Sequence, residues 1–106
     1  MDRKTFYTES SKALRHIDEA LGELEHDDLD VDLAGDVLTL GFASGERFVI
    51  NAHSAAEQIW MAAGTTAWHF DFIEERGQWI ARKTDDELMA TVAKVVGEKL
   101  GEVVRL

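Results

Sequence analysis

The spacing of apolar residues predicts a helix at each end of the chain. Near the N-terminus, five apolar residues recur at intervals of three and four and form one stripe: Phe6, Leu14, Ile17, Leu21 and Leu24. This stripe indicates an amphipathic helix over about residues 4–24. A similar stripe near the C-terminus consists of Leu88, Val92, Val95, Val96 and Leu100. The preceding residues 84–87 (TDDE) have the spacing of a capping box, so we expect Thr84 to begin the second helix.

Between the two stripes, apolar and polar residues alternate with the period of half-buried β-strands. The alternation predicts strands over about residues 29–33, 37–42, 47–51, 57–62, 68–72 and 78–82. Short turn sequences separate these strands, and strands joined in this way form an antiparallel meander. Two terminal helices can cover only one face of such a sheet. We therefore predict an α+β fold, a two-layer sandwich with an antiparallel sheet of about six strands and the N- and C-terminal helices packed on one face.

The same alternation predicts which side chains lie on the face of the sheet that the helices leave open. They are Val37, Thr39, Gly41, Arg47, Val49, Asn51, Gln58, Trp60, His69 and Asp71. Tryptophan is enriched at the centre of protein interfaces, and amides supply polar contacts around it. Trp60 with Asn51 and Gln58 therefore predicts a surface that binds a partner, and His69 is either part of that surface or simply solvated. In the alternative interpretation, long neighbouring side chains cover part of the Trp60 ring.

Composition restricts the classes of protein that this chain can represent. Its 106 residues fit one domain, residues 1–106, and 45% of them are apolar and 30% charged, as in a globular protein. The absence of cysteine excludes disulfides, thiolate metal sites and a cysteine nucleophile. No apolar run approaches the ~18 residues of a membrane span. The N-terminus lacks the apolar core of a secretory signal, so we expect a cytoplasmic protein.

The charge of the chain is strongly negative and unevenly distributed. There are 11 Lys and Arg against 21 Asp and Glu, which gives a net charge of −10. This balance argues against nucleic acid and anionic membrane as partners, because both are bound through basic side chains. Ten of the 21 acids lie between Arg15 and Arg47, where the sequence contains no Lys or Arg. Such a segment favours a cation or a basic protein as its partner.

Eight of these carboxylates form what we call the acidic ridge: Asp18, Glu19, Glu23, Glu25, Asp27, Asp28, Asp30 and Asp32. Helical spacing is expected to place Asp18 and Glu25 on one face of the first helix, with Glu19, Glu23 and His26 on the neighbouring face. Carboxylate oxygens suit magnesium, calcium, manganese and iron, and His26 could add a nitrogen ligand. The sites would be shallow and weak. The alternative is a solubilising face that also protects an edge strand.

Residues 51–62 (NAHSAAEQIWMA) resemble the most distinctive segment of the frataxin family, N-x-Q-x-P-x-x-Q-[IV]-W-[LM]-A. Residues 68–71 (WHFD), 37–42 (VLTLGF) and 78–80 (QWI) are similar to neighbouring segments of the family, and the acids that follow Ile17 are similar to its acidic first helix and first strand. The resemblance covers essentially the whole chain, in order, at the length of a bacterial member. The chain differs at three family positions, where it has His53 for glutamine, Ala55 for proline and Gly22 for an acid.

The resemblance implies an iron-binding protein of iron–sulfur cluster assembly that regulates a cysteine desulfurase as an adaptor or iron sensor. Fe²⁺ or Fe³⁺ would bind weakly on the acidic ridge, where other divalent cations could substitute. Asn51, Gln58 and Trp60 match the residues that face partners in the family, which are a cysteine desulfurase and an iron–sulfur scaffold protein. The resemblance implies binding rather than catalysis, with weak ferroxidase activity ascribed to the family. Because weak external sites on two molecules can share an ion, we expect a monomer that metal can drive into oligomers. The alternative function is an acidic protein–protein interaction module that docks on a basic partner without functional metal.

Overall fold

The computed structural model describes all 106 residues and contains two helices and a seven-stranded antiparallel sheet. The helices are α1 (Arg3–Gly22) and α2 (Leu88–Leu100). The strands are β1 (Leu29–Ala34), β2 (Val37–Phe42), β3 (Arg47–His53), β4 (Gln58–Ala63), β5 (Thr66–Ile73), β6 (Gln78–Ala81) and β7 (Asp86–Glu87), and they lie in the sheet in that order. The predicted α+β sandwich is confirmed. Neither helix is long and apolar enough to cross a membrane.

The core lies between the helices and one face of the sheet. Each strand from β2 to β4 alternates fully buried residues with half-buried or exposed ones, which is the pattern of a sheet covered on one side. Phe6 and Ile17 of α1 and Val92 of α2 are at most 1% exposed and pack into the same cluster as the inward-facing strand residues. Phe6 also meets the ring of Trp79 edge-on, with a centroid distance of 6.0 Å. Both helices thus close the same face and leave the other open.

The two helices begin in different ways. Asp2 caps α1, because its carboxylate accepts a hydrogen bond of 2.7 Å from the Thr5 backbone N–H. That hydrogen bond also holds the pKa of Asp2 below its ordinary value. The cap of α2 is Glu87, whose carboxylate accepts from the backbone N–H groups of Met89 and Ala90 at 2.8 and 3.0 Å.

The prediction that Thr84 begins α2 is wrong, because residues that precede the helix pair with the sheet instead. Asp86 and Glu87 form a short seventh strand opposite Ala81 and Ile80, which holds Glu87 in an extended conformation. The Thr84 hydroxyl donates to the Asp86 carboxylate at 2.8 Å rather than to a helical backbone group. The local sequence has a capping-box spacing, but the sheet moves the start of the helix to Leu88.

Strand β3 is longer than the alternation predicts, and this changes the open face. It continues past Asn51 to His53, which lies opposite Gln58 of β4. The turn that follows ends at Glu57, whose φ of 54° is left-handed. His53 closes this turn, because its Nδ1 accepts a hydrogen bond of 3.3 Å from the Ala56 backbone N–H. His53 is therefore a sheet residue rather than a loop residue.

The C-terminal segment explains a glycine inside α2. A Cβ atom added to Gly97 would lie 2.7 Å from the backbone oxygen of Glu102, where the chain turns back to bury Val104. We expect Gly97→Ala to destabilise the fold by about 1–3 kcal/mol, because this contact is with backbone that cannot move aside freely. Urea unfolding measures the loss. Gly22→Ala is the control, since nothing lies within 4 Å of its Cβ; an equal loss in both variants would contradict the prediction.

Candidate functional site

The acidic ridge follows the end of α1, the loop after it and strand β1. Helix α1 packs along β1, so the two elements that carry half of the ridge acids are neighbours. Asp30 and Asp32 are exposed on the open side of β1, opposite Gly41 and Thr39 of β2. Because no strand flanks β1 on its outer side, the ridge lies along one border of the sheet.

The helical spacing argument is wrong for the last part of the ridge. Helix α1 ends at Gly22, Glu23 is its C-terminal cap, and Glu25 has a left-handed φ of 48°. Glu25 and His26 therefore do not share helical faces with Asp18 and Glu19. The helix ends because Gly22 and the residues after it form a turn, in which the Glu25 N–H donates to the Gly22 carbonyl at 3.2 Å.

The ridge carboxylates have no Lys or Arg partner within the chain. The structure contains three ion pairs, Arg82–Asp71, Lys99–Glu46 and His26–Glu102, and none of them uses a ridge carboxylate. All eight ridge acids are exposed except Asp18, which is half-buried. The border therefore has a concentration of negative charge that nothing in the fold neutralises, and it attracts cations and basic groups from outside.

His26 is occupied by contacts within the chain. Its Nδ1 accepts a hydrogen bond of 3.1 Å from the Asp28 backbone N–H, and its Nε2 lies 3.5 Å from the Glu102 carboxylate. A metal ion would have to displace one of these contacts to gain an imidazole ligand. His26 thus ties the loop after α1 to the C-terminal segment.

No three His, Asp or Glu side chains come together as a group that could hold a metal ion. The ridge offers separate carboxylates, all of them on exposed residues except the half-buried Asp18. Such donors fit a hydrated hard cation held by one or two carboxylates, and they do not fit a closed tetrahedral cage. A cation bound to such donors would be held weakly.

The open face of the sheet brings the predicted partner-binding residues together around Trp60. Asn51 of β3 and His69 of β5 lie directly opposite Trp60 on either side of β4, and Gln58 is two residues away on the same face. The predicted placement of Asn51, Gln58 and Trp60 on one face is confirmed, although Ala55 stands where the resembled segment has proline. Trp60 lies outside the apolar core and is half-buried.

Two histidines cover the indole ring of Trp60. The His53 imidazole stacks on it with a centroid distance of 3.8 Å and an interplanar angle of 18°, and the His69 imidazole stacks at 4.4 Å and 13°. Because β3 and β5 flank β4 on opposite sides, the imidazoles lie on opposite faces of the indole. We call these three rings the aromatic stack. The alternative that neighbouring side chains cover part of Trp60 therefore holds, and the rings that cover it are His53 and His69.

A chain of polar contacts fixes the base of the aromatic stack. The Trp60 Nε1–H donates to Gln58 Oε1 at 2.8 Å, and Gln58 Nε2 donates to Asp71 Oδ1 at 3.1 Å. The second oxygen of Asp71 lies 3.3 Å from the Arg82 Nε. Gln58 thus uses both ends of its amide within the chain, and its role at this face is to orient the indole.

Sequence reasoning missed His53, Asp71 and Arg82 as members of this site. The alternation predicts that Asp71 lies on the open face, but its contacts with Gln58 and Arg82 depend on side-chain geometry. His53 lies two residues after Asn51, so extending the alternation by one step would have placed it beside Trp60. This chain has His53 where the frataxin segment has glutamine, and that difference could have drawn attention to the residue.

Comparison with known proteins identifies the family to which this arrangement belongs. The sequence matches the family model described as a frataxin-like domain over residues 1–102. The chain belongs to the frataxin family. Among its frataxin relatives, a protein from Dechloromonas aromatica is 35% identical over 107 residues, which cover 100% of this chain and 99% of the relative. Another, from Thioalkalivibrio sulfidiphilus, is 37% identical over 79 residues, or 74% of each chain. Both relatives are named iron-sulfur cluster assembly protein CyaY.

Solved frataxin structures have the same fold. Frataxin from Psychromonas ingrahamii, a CyaY-family protein, superposes with a TM-score of 0.89 at 26% identity and covers 99% of this chain and 97% of its own. A trimeric frataxin from the yeast Saccharomyces cerevisiae gives a TM-score of 0.76 at 27% identity, covering 89% of this chain and 80% of the yeast chain. The frataxin fold and family are thus shared with bacterial and yeast proteins.

Proposed function

We propose that this frataxin-family protein binds iron on its acidic ridge and acts in iron–sulfur cluster assembly. In this role it is an adaptor or iron sensor that regulates a cysteine desulfurase and contacts the scaffold on which the cluster is built. The names of its bacterial relatives support the pathway. Since those relatives are bacterial, we propose the cytoplasm as the compartment.

The observation that carries the proposal is the set of ridge carboxylates without Lys or Arg partners. Like charges on neighbouring positions destabilise a fold, by about 0.2–0.5 kcal/mol for a helical pair, so a ridge of this kind is a cost to folding. Carboxylate oxygens are hard ligands that can bind iron, and an ion held by only one or two of them keeps other coordination positions free. The ridge therefore fits a protein that carries or senses iron rather than one that stores it.

The aromatic stack fits the second part of the role. Trp60, Asn51 and His69 lie side by side on a sheet face that no helix covers. An aromatic anchor with amides around it is typical of protein interfaces. We propose that the ridge attracts basic groups of the desulfurase and that the open face packs against the bound partner.

The weak exposed sites also support metal-driven oligomers. A cation held by one or two carboxylates keeps free coordination positions, which a second molecule can fill with its own ridge. We propose a monomer that associates when metal is added. A yeast relative of known structure is trimeric.

The second candidate is an acidic interaction module that docks on a basic partner and needs no metal. The absence of any group of three metal-binding side chains favours it, as does the use of both His26 nitrogens within the chain. In this case the ridge would act only through long-range attraction.

Amide chemical shifts during a metal titration separate the two candidates. Fe²⁺ under anaerobic conditions, or Co²⁺ or Mn²⁺ in its place, is expected to perturb residues 18–32 at sub-millimolar concentrations, because the unneutralised carboxylates lie there. Glu74 and Glu75 in the turn between β5 and β6 are an internal control, since both are exposed acids outside the ridge.

Iron binding is contradicted if the ridge resonances stay unchanged, or if Glu74 and Glu75 respond at the same concentrations. If the ridge resonances stay unchanged while a cysteine desulfurase still binds, the second candidate is the function. A desulfurase titration of the same labelled protein therefore belongs in the same experiment.

A further inference from the structure

The outer edge of β1 is the long free edge of the sheet. No strand lies beyond β1, whereas the opposite edge is β7, which has only two residues. A free edge exposes the backbone groups that point away from the sheet, and these groups can pair with another extended chain. The hydrogen bonds next to β1 determine which of its residues have their backbone groups in this position.

Val31 and Leu33 are the residues whose backbone groups face outward. In an antiparallel pair, residues that exchange hydrogen bonds alternate with residues that do not. The Ala43 N–H donates to the Asp28 carbonyl at 3.0 Å, and this places the even-numbered residues of β1 among those that bond to β2. No hydrogen bond outside the helices and strands uses the backbone of Val31 or Leu33. Each of these two residues therefore offers a free N–H and a free C=O at the edge.

The side chains beside this edge differ between the two faces of the sheet. Asp30 and Asp32 lie on the open face, are exposed and have no Lys or Arg partner. Val31 and Leu33 lie on the helix side, where they are half-buried and pack against the core. A strand added in antiparallel register would place its own side chains directly beside these, on the same faces. Positive charge is favoured beside the two aspartates, and apolar side chains are favoured beside Val31 and Leu33.

A cavity lies on the helix side of this edge, at the end of β1. Its volume is about 440 Å³, and its apolar lining includes Leu14 of α1, Leu33 of β1 and Ala52 of β3. Ser10 also lines the cavity, is 2% exposed, and has a hydroxyl that no hydrogen bond within the chain uses. Because every fully buried polar side-chain atom of the protein has a partner, this hydroxyl faces the cavity. The fold thus leaves room beside Leu33 for a side chain that comes from another molecule.

Charge distinguishes between two occupants of this edge. A second copy of this chain that paired through its own β1 would bring two further aspartates against Asp30 and Asp32. Like charges directly opposite each other destabilise a pair of strands, so this pairing is disfavoured. Lys or Arg in the same positions would be attracted instead. The acids therefore protect the edge against self-association and leave it open to a basic chain.

We propose that the outer edge of β1 accepts an extended basic segment of the cysteine desulfurase as an eighth strand. Lys or Arg of this segment lie beside Asp30 and Asp32, apolar residues lie beside Val31 and Leu33, and the inward residue next to Leu33 enters the cavity. The inference rests on the proposed function and goes further than it. The partner is held by backbone hydrogen bonds as well as by attraction to the acidic ridge.

Amide hydrogen exchange in the complex with the desulfurase tests the strand pairing. The amides of Val31 and Leu33 are free at the edge, so they should exchange about tenfold more slowly, or slower still, in the complex. The amides of Asp30 and Asp32 already bond to β2 and are the internal control, since their rates should change much less. Equal slowing of all four amides, or of none, in a complex that forms would overturn the inference.

A synthetic peptide separates strand pairing from charge attraction. A capped peptide in which Lys and Val alternate should bind at the edge and shift the amide resonances of Val31 and Leu33. The same peptide with N-methyl groups on its Val residues keeps its charge but loses the donors that face β1, so it should bind about tenfold more weakly. Equal affinity of the two peptides would overturn the inference, and so would equal binding of a peptide with Glu in place of Lys.

Asp30→Asn combined with Asp32→Asn tests the choice of a basic occupant. The double variant should bind the Lys–Val peptide about fivefold more weakly, because two cross-strand charge pairs are lost. Glu74→Gln combined with Glu75→Gln is the matched control, since it removes two exposed acids far from β1 in the chain, and it should keep most of the affinity. An equal loss in both variants would overturn the choice.

The protein alone provides the last comparison. If the Val31 and Leu33 amides slow with rising protein concentration and no peptide, a second copy occupies the edge, and the inference is overturned. Each of these failures leaves the proposed function intact, because the metal titration and desulfurase binding test that function directly. A protein that binds neither iron nor the desulfurase contradicts the proposed function itself.

Discussion

Trp60→Ala is expected to weaken binding to the assembly partner about 30-fold, or roughly 2 kcal/mol, while the fold stays nearly intact. The loss is large because the substitution removes the central ring of the aromatic stack and leaves His53 and His69 without the surface that aligns them. The fold is spared because Trp60 belongs neither to the buried core nor to the residues that pack against it. Titration calorimetry measures the affinity, and urea unfolding measures the stability.

Trp79→Ala is the matched control, since it removes the same side chain from the opposite face of the sheet. Trp79 is 4% exposed and contacts the rings of Phe6 and Phe72. Its loss should cost about 3–5 kcal/mol of stability, as for other large buried aromatic residues. Trp60→Ala should therefore lose partner affinity and keep stability, whereas Trp79→Ala should lose stability. A Trp60→Ala variant as unstable as Trp79→Ala would mean that the Trp60 ring supports the fold rather than the interface.

Neutralising part of the ridge is expected to stabilise the protein and to reduce its response to cations. At low ionic strength, Asp27→Asn combined with Asp28→Asn should raise the melting temperature, because two exposed charges leave a border that contains no base. In the wild type, a divalent cation at about ten times its dissociation constant should add ~1.4 kcal/mol. For a domain of this size, 1 kcal/mol corresponds to about 4–8 °C. The double variant should gain markedly less from Mn²⁺ or Co²⁺.

Glu74→Gln combined with Glu75→Gln is the control for net charge. It removes two exposed acids from a turn outside the ridge, so it changes the total charge by the same amount. Calorimetric melting of the three proteins with and without Mn²⁺ gives the comparison. The prediction fails if the control pair raises the melting temperature, and reduces its further rise with Mn²⁺, as much as the ridge pair does. In that case the effect comes from the total charge and the ridge has no special role.

The sequence predicts most of the sheet because its alternation follows from burial on one side. Strand β2 has the predicted bounds, since its three inward residues, Leu38, Leu40 and Phe42, are all buried. The open-face positions of Asn51, Gln58 and Trp60 follow from the same period. Periodicity succeeds here because the face on which a side chain lies depends only on its position within its own strand.

The failures occur where distant contacts decide the outcome. The capping-box spacing predicts a start at Thr84, but pairing of Asp86–Glu87 with β6 delays α2. Helical spacing predicts that Glu25 and His26 share faces of α1, but the helix ends at Gly22. The same limit applies to the site, because the stacking of His53 and His69 on Trp60 depends on three strands at once. Alternation can place side chains on a face but cannot say which of them touch.

The order of the sheet has a consequence for how the protein folds as it is synthesised. Every strand pairs with its neighbours in sequence, so hairpins can form locally and rapidly. Part of the apolar face of those hairpins, however, is closed by α2, which follows all seven strands in the chain. Until then the growing sheet carries an exposed apolar surface of the kind that causes aggregation. Deleting α2 would make that transient exposure permanent.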